Sequence, residues 1–196
     1  MMKKKCIISN EVISMERQYT RIDFVRKLLD DELKCIEDEE IKRCAYVHLY
    51  GVGQAAAFLA MKRGYDKSTA ELAEVAGMLH DYAKYIYDEE ENHAEKSALC
   101  AREILRKIPE FSISEIDLIC EAIFQHSNKK ETGTFFDEIL KDADEMQHYF
   151  RNPMEDYFFQ KERTQNLIKE LKISQAAEPA HTIQCFDGCR RCGVCK

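Results

Sequence analysis

The chain has 196 residues, 45% of them apolar and 33% charged, with a formal net charge of −7. That length suits one ordinary domain with a sizeable core. The negative balance excludes a general nucleic-acid binder, which needs a basic face, but leaves nucleotide substrates open, because bound cations supply local positive charge. With only 3 Pro, 7 Gly and no Trp, and many Leu, Ile, Ala, Glu and Lys, the composition predicts an all-α chain. Lys3-Lys4-Lys5 opens the sequence, but no apolar stretch follows before Asn10 and Glu11, so a signal peptide is not expected. No stretch reads as a membrane span. The expected location is the cytosol, where nine cysteines do not form a disulfide framework.

The first helix is expected over 23–36, with Phe24, Leu28 and Ile36 among its apolar positions. The second covers 39–63, and Gly64 follows its last turn as a stop. On it His48, Val52, Ala55 and Leu59 recur at helical spacing, so His48 lies in line with an apolar stripe. A third helix opens at Asp66-Lys67-Ser68-Thr69, where Ser68 and Glu71 have capping-box spacing. Its buried face is Leu72, Val75, Leu79, Tyr82 and Ile86. A fourth runs over 91–108 and ends before Pro109. Ser112 or Ser114 caps a fifth, with Ile116, Ile119, Ile123 and His126 on one side. A polar loop with Gly133 leads to a sixth over 135–150, and a last helix covers 154–172 after Pro153. From Ser174 the pattern stops. The expected division is a domain over 1–173, a linker over 174–180 and a flexible Cys-rich tail over 181–196.

Six histidines are present, and four follow an order with acidic residues between and after them. His48 is followed by His80-Asp81, His93, His126, and the pair Asp142 and Asp144. Apart from the adjacent His80-Asp81, these groups fall on different expected helices. Imidazoles and carboxylates projecting inward from several helices are how bundles build di-metal sites. Mixed nitrogen and oxygen ligation suits iron, manganese or zinc better than calcium. A lone histidine on an apolar face is ordinarily a hydrogen-bonded core residue, so His48 alone carries little weight. Asp81 carries more, because a carboxylate on an apolar helix is costly without a cation. His148 and His181 read as surface or structural residues.

The segment Ala76-Gly77-Met78-Leu79-His80-Asp81-Tyr82-Ala83-Lys84 resembles the signature of the HD superfamily of metal-dependent phosphohydrolases. His48-Leu49-Tyr50-Gly51-Val52 resembles its upstream histidine motif, and Ala143-Asp144 its final Ala-Asp pair. The resemblance covers roughly residues 40–150. It implies an HD-domain bundle of about six to seven helices. It implies metal ligation by His48, His80, Asp81 and Asp144. His93 and His126 sit where two-metal branches place further ligands, so the resemblance implies a second ion shared through Asp81. Periodicity leaves Asp142 and Asp144 both open as last ligand, and the match to the Ala-Asp pair selects Asp144. The chain resembles the small bacterial di-iron HD hydrolases that cleave diadenosine tetraphosphate symmetrically, though a long first helix and a Cys-rich tail depart from them.

The implied chemistry is two-metal hydrolysis, with water activated for in-line attack on phosphorus. Asp81 is then the catalytic carboxylate and iron or manganese the expected metal. Lys84, one turn after His80, points to the same side and binds a phosphate, against the alternative of a surface lysine. Ser127, Asn128 and Lys129, polar and close by in sequence, are further positions that could touch substrate. The substrate class is a small phosphorylated molecule, a nucleotide first. The alternatives are a one-metal nucleotide hydrolase, a degenerate HD module sensing a nucleotide or metal, and a di-iron oxygenase. A homodimer is compatible with the sequence.

Cys185, Cys189, Cys192 and Cys195 place four thiols within eleven residues, with Gly188 and Gly193 between them. That spacing resembles cubane iron–sulfur ligation. Structural zinc, which prefers two separated Cys pairs, comes second. A redox partner or regulatory role follows for a segment outside the hydrolase core.

Overall fold

The computed structural model describes residues 20–151 and 162–173. Among these residues there are eight helices and no strand: α1 (Arg21–Leu33), α2 (Glu39–Lys62), α3 (Lys67–Leu79), α4 (Tyr82–Tyr87), α5 (His93–Leu105), α6 (Ile113–Gln125), α7 (Phe135–Arg151) and α8 (Glu162–Leu171). The expected all-α bundle is therefore what the described residues form. The linker, His181 and the four tail cysteines lie outside the described residues.

Local chemistry explains four of the helix starts. Thr20 and Asp23 form a reciprocal capping box at α1, and Ser112 and Glu115 form another at α6, each satisfying backbone donors that the first turn leaves free. Asp38 accepts from the amides of Glu40 and Ile41 at the start of α2. At α3 the cap is Asp66, which accepts from the Thr69 amide, and not the expected Ser68–Glu71 pair. Asp66 stands at the right offset because the helix begins one residue after it.

α2 sits at the centre, packed chiefly against α3 and α7, with α5 on α6 beside them. Contrary to the sequence expectation, α2 is long and apolar enough by length and composition to cross a membrane. Its position accounts for that composition. It buries Ala45, Leu49, Val52, Ala56, Leu59 and Ala60 between two neighbours, so little of its circumference needs to be polar. The first helix is rotated from expectation: Ile22, Val25, Leu29 and Leu33 face inward, while Phe24 is exposed.

The third expected helix is broken in two. α3 ends at Leu79, and Asp81 leaves helical geometry with φ −110° and ψ 23° before α4 starts. The break falls on the His-Asp pair, and Asp81 is buried. Two glycines then draw α2 and α3 together. A Cβ on Gly77 would lie 2.6 Å from the Cα and N of Gly53, and one on Gly53 would lie 2.9 Å from the Glu74 carbonyl oxygen. Only bare backbone permits that approach. It brings His48, five residues before Gly53, beside His80, three residues after Gly77.

Candidate metal centre

His48 and His80 meet with their Nε2 atoms 3.2 Å apart, and both side chains are buried. His80 Nδ1–H donates to the Gly77 carbonyl at 2.8 Å, which leaves Nε2 as a bare lone pair. Burial pushes the His80 pKa down to about 3, so no proton supplies a charge there. The atoms facing His80 Nε2 are His48 Nε2, Asp81 Oδ2 at 3.6 Å and Asp144 Oδ1 at 3.8 Å.

His126 and His93 repeat the pattern. His126 Nδ1–H donates to the Ile123 carbonyl at 2.6 Å and His93 Nδ1–H to the Glu90 carbonyl at 3.0 Å. Their Nε2 lone pairs turn toward Asp81 Oδ1, at 3.3 Å and 3.5 Å. Asn92, in the left-handed region at φ 56°, starts α5 so that His93 is its first residue. His126 sits at the end of α6, one turn after Ile123. Fixing Nδ1 by a backbone carbonyl is how metal-binding imidazoles are oriented.

Asp81 divides its oxygens between the two groups. Oδ2 faces His48 and His80, both at 3.6 Å, and Oδ1 faces His93 and His126. Burial works against the charged carboxylate, yet His80, His126 and His48 around it hold its pKa well below the usual range. Asp144 also stays ionised. Burial opposes its charge, but Lys129 and His148 hold its pKa well below the usual value. Its Oδ1 lies 3.4 Å from His48 Nε2, while Oδ2 takes the Lys129 ammonium at 2.6 Å. Asp142 points elsewhere, to Arg63 at 2.6 Å and to Arg163. The structure thus brings His48, His80, Asp81, His93, His126 and Asp144 together and leaves Asp142 in a separate ion-pair network. Lys84, partly exposed at the rim, has its Nζ 3.6 Å from Asp81 Oδ2.

The donor set fits divalent ions. Bonds of about 2.0–2.2 Å at tetrahedral or octahedral angles separate neighbouring donor atoms by about 2.8–3.6 Å. The separations above fall in or just above that range. Asp81 Oδ1 and Asp144 Oδ1 are buried without a hydrogen-bond partner, a costly arrangement for acceptors unless a cation sits among them. His48 with His80 and Asp81, and Asp81 with His93 and His126, each form a group able to hold an ion.

Two residues at this centre lay outside the sequence expectation. His148, read as a surface or structural residue, is only partly exposed and places Nε2 3.2 Å from Asp144 Oδ1, with its ring 4.8 Å from that of His48. The signal was present: His148 is four residues after Asp144 on one helix, hence on the same face. Lys129 had no such signal, because its reach to Asp144 depends on the course of the loop between α6 and α7. Ser127, next to His126, sets its Oγ 3.1 Å from His93 Nε2 and 3.3 Å from His126 Nε2.

Residues 45–178 match the HD domain family. No curated protein and no solved structure matches the chain. HD domains bind divalent metals and are mostly metal-dependent hydrolases, and the cluster of histidines and aspartates lies inside the matched span. On a match that covers more than half of its length, the chain belongs to the HD domain family.

Proposed function

We propose that this protein hydrolyses a phosphoester or phosphoanhydride bond of a nucleotide, using two divalent ions. His48, His80, Asp81 and Asp144 hold one ion, and Asp81, His93 and His126 the other. The observation that carries this reading is the division of the Asp81 carboxylate, whose two oxygens each face a different pair of imidazoles. When bound, such ions lower the pKa of water and neutralise phosphate oxygens.

The chain's own groups complete the site. Lys84 stands at the rim with its ammonium toward Asp81, positioned to take a phosphate oxygen of an incoming substrate. Ser127 Oγ lies between His93 and His126 and offers a donor at the second position. Lys129 holds Asp144 by the oxygen that faces away from the imidazoles, so Oδ1 stays turned inward. Diadenosine tetraphosphate, cut symmetrically to ADP, is the first specific substrate to test. The four tail cysteines, Cys185, Cys189, Cys192 and Cys195, form a second metal centre, an iron–sulfur cluster in preference to zinc.

The test is metal analysis of anaerobically purified protein, joined to a panel of nucleoside mono-, tri- and dinucleoside polyphosphates. The expected result is two ions at the His/Asp site and turnover of at least one nucleotide that ceases on chelation. Protein loaded with two ions that turns over none of the panel overturns the hydrolase assignment. Deleting residues 181–196 removes any cluster absorbance and leaves the His/Asp ions in place. Loss of those ions in the truncated protein refutes the separation of the two centres.

A further inference from the structure

Three observations place His148 inside the metal centre. Its Nε2 lies 3.2 Å from Asp144 Oδ1, as close as any donor pair that surrounds the first ion position. Its ring centroid is 4.8 Å from that of His48, and His48, Asp144 and His148 together form a group whose ligand atoms can share an ion. An imidazole nitrogen and a carboxylate oxygen this close, grouped with His48, can serve as two ligands of one cation.

We infer that His148 is a fifth protein ligand of the ion held by His48, His80, Asp81 and Asp144. The inference rests on the two-ion reading above and extends it to this residue. α7 supplies both Asp144 and His148 from one face, four residues apart, so a single helix contributes a carboxylate and an imidazole to the same ion. Such pairing of an acidic residue with a histidine one turn away is an efficient use of a bundle helix.

The consequence is an asymmetric pair of ions. The first has three imidazoles and two carboxylates from the protein, so a six-coordinate ion keeps one position at most. The second has only Asp81, His93 and His126, and is the open one, where the phosphate of a substrate docks. Five protein donors also disfavour zinc at the first position, because zinc prefers four. Manganese or iron suits mixed nitrogen and oxygen donors in a larger shell.

The experiment titrates metal-free full-length protein with Mn(II) and with Co(II). It compares the parent with H148A and H148Q and reads affinity and the Co(II) visible spectrum. His148 is partly exposed near the end of α7, and circular dichroism of the metal-free variants checks that the bundle is intact. Removing a ligand lowers affinity at one of the two ions by about 10–100-fold or more, the range that loss of a merely supporting group already reaches. The other ion keeps its affinity, and the Co(II) spectrum changes. H148Q behaves like H148A, although its amide can still donate a hydrogen bond to Asp144. Free imidazole restores affinity to H148A. A parent that binds two ions, with H148A and H148Q unchanged in affinity and spectrum, overturns the ligand role of His148 and leaves the two-ion reading standing. A parent that binds no ion overturns both.

Discussion

Gly77→Ala tests whether the close crossing of α2 and α3 assembles the metal centre. The new Cβ would lie 2.6 Å from Gly53 Cα and N and 2.8 Å from the Val52 carbonyl carbon. These are backbone atoms of a neighbouring helix, so no side-chain rotation relieves the clash. Reaching ordinary contact at about 3.5–4.0 Å requires the helices to part by about 1 Å. Overpacking of this kind costs about 1–3 kcal/mol, and the better helix propensity of alanine returns about 1 kcal/mol. The net loss of about 0–2 kcal/mol lowers the melting temperature by up to about 8 °C, at about 2–4 °C per kcal/mol for a chain near this size. The effect on the site is larger than the effect on the fold. His48 and His80 ride on the two helices that separate, and their Nε2 atoms must stay near 3.2 Å to share an ion. Thermal unfolding of the metal-free variant, followed by Mn(II) titration, reads both terms. A variant that keeps both the parent melting temperature and the parent affinity refutes the argument that these glycines set the distance between the two imidazoles.

Asp81→Asn keeps the shape of the side chain but removes the charge shared by both positions, so affinity for both ions falls at least about 10-fold and nucleotide hydrolysis ceases, as metal analysis and a turnover assay read directly. Lys129→Met leaves Asp144 Oδ2 buried without its ammonium and costs about 1.5–3 kcal/mol in metal-free protein. Urea unfolding should show that loading with metal recovers part of it, because a cation at Oδ1 offsets the missing charge. Acidification destabilises the metal-free protein. His80 takes its proton only near pH 3 when folded but near 6.5 when unfolded. The unfolded state therefore binds more protons below about pH 6.5, and stability falls by up to about 1.4 kcal/mol per pH unit as pH drops toward 3. Asp81 and Asp144, held low in the folded state, add a loss of the same sign once the pH passes below the unfolded carboxylate range. Urea midpoints at pH 7, 5.5 and 4.5 that do not decline would contradict this.

Periodicity carried much of the fold, because α2, α5, α6 and α7 each bury one continuous stripe that the spacing of apolar residues reveals. Periodicity also hid the helix break. Leu79, Tyr82 and Ile86 continue the spacing of α3 without interruption, and Tyr82 is buried as that spacing requires. The chain nevertheless leaves helical geometry at Asp81, since a carboxylate serving two imidazole pairs must be aimed rather than kept in line. Phe24 misled for a different reason. Ile22, Val25, Leu29 and Leu33 form an equally regular stripe on α1, and only packing against α3 and α2 selects it. The apolar length of α2, a feature of membrane spans in general, reflects burial between two neighbours.

The centre itself divides along the same line. His80 and Asp81 are adjacent in sequence, and the helix pairs that bring them to His48, His126 and Asp144 follow from buried stripes. What local pattern cannot carry is the partner that arrives through a loop or a crossing. Lys129 reaches Asp144 from the segment between α6 and α7, and Gly53 and Gly77 matter only in each other's presence. His148 falls between these cases. Its offset from Asp144 was visible, but an offset along one helix fixes only a shared face. The contact with His48 depends on α7 lying against α2, and that packing turns a residue on the edge of a helix into a candidate ligand. Each side chain at the cluster offers a lone pair or a negative charge, while Lys129, Lys84 and Ser127 offer donors at its edge. A bundle that gathers this many acceptors with so few protons is held against their mutual repulsion by its apolar helices, and a cation removes that repulsion.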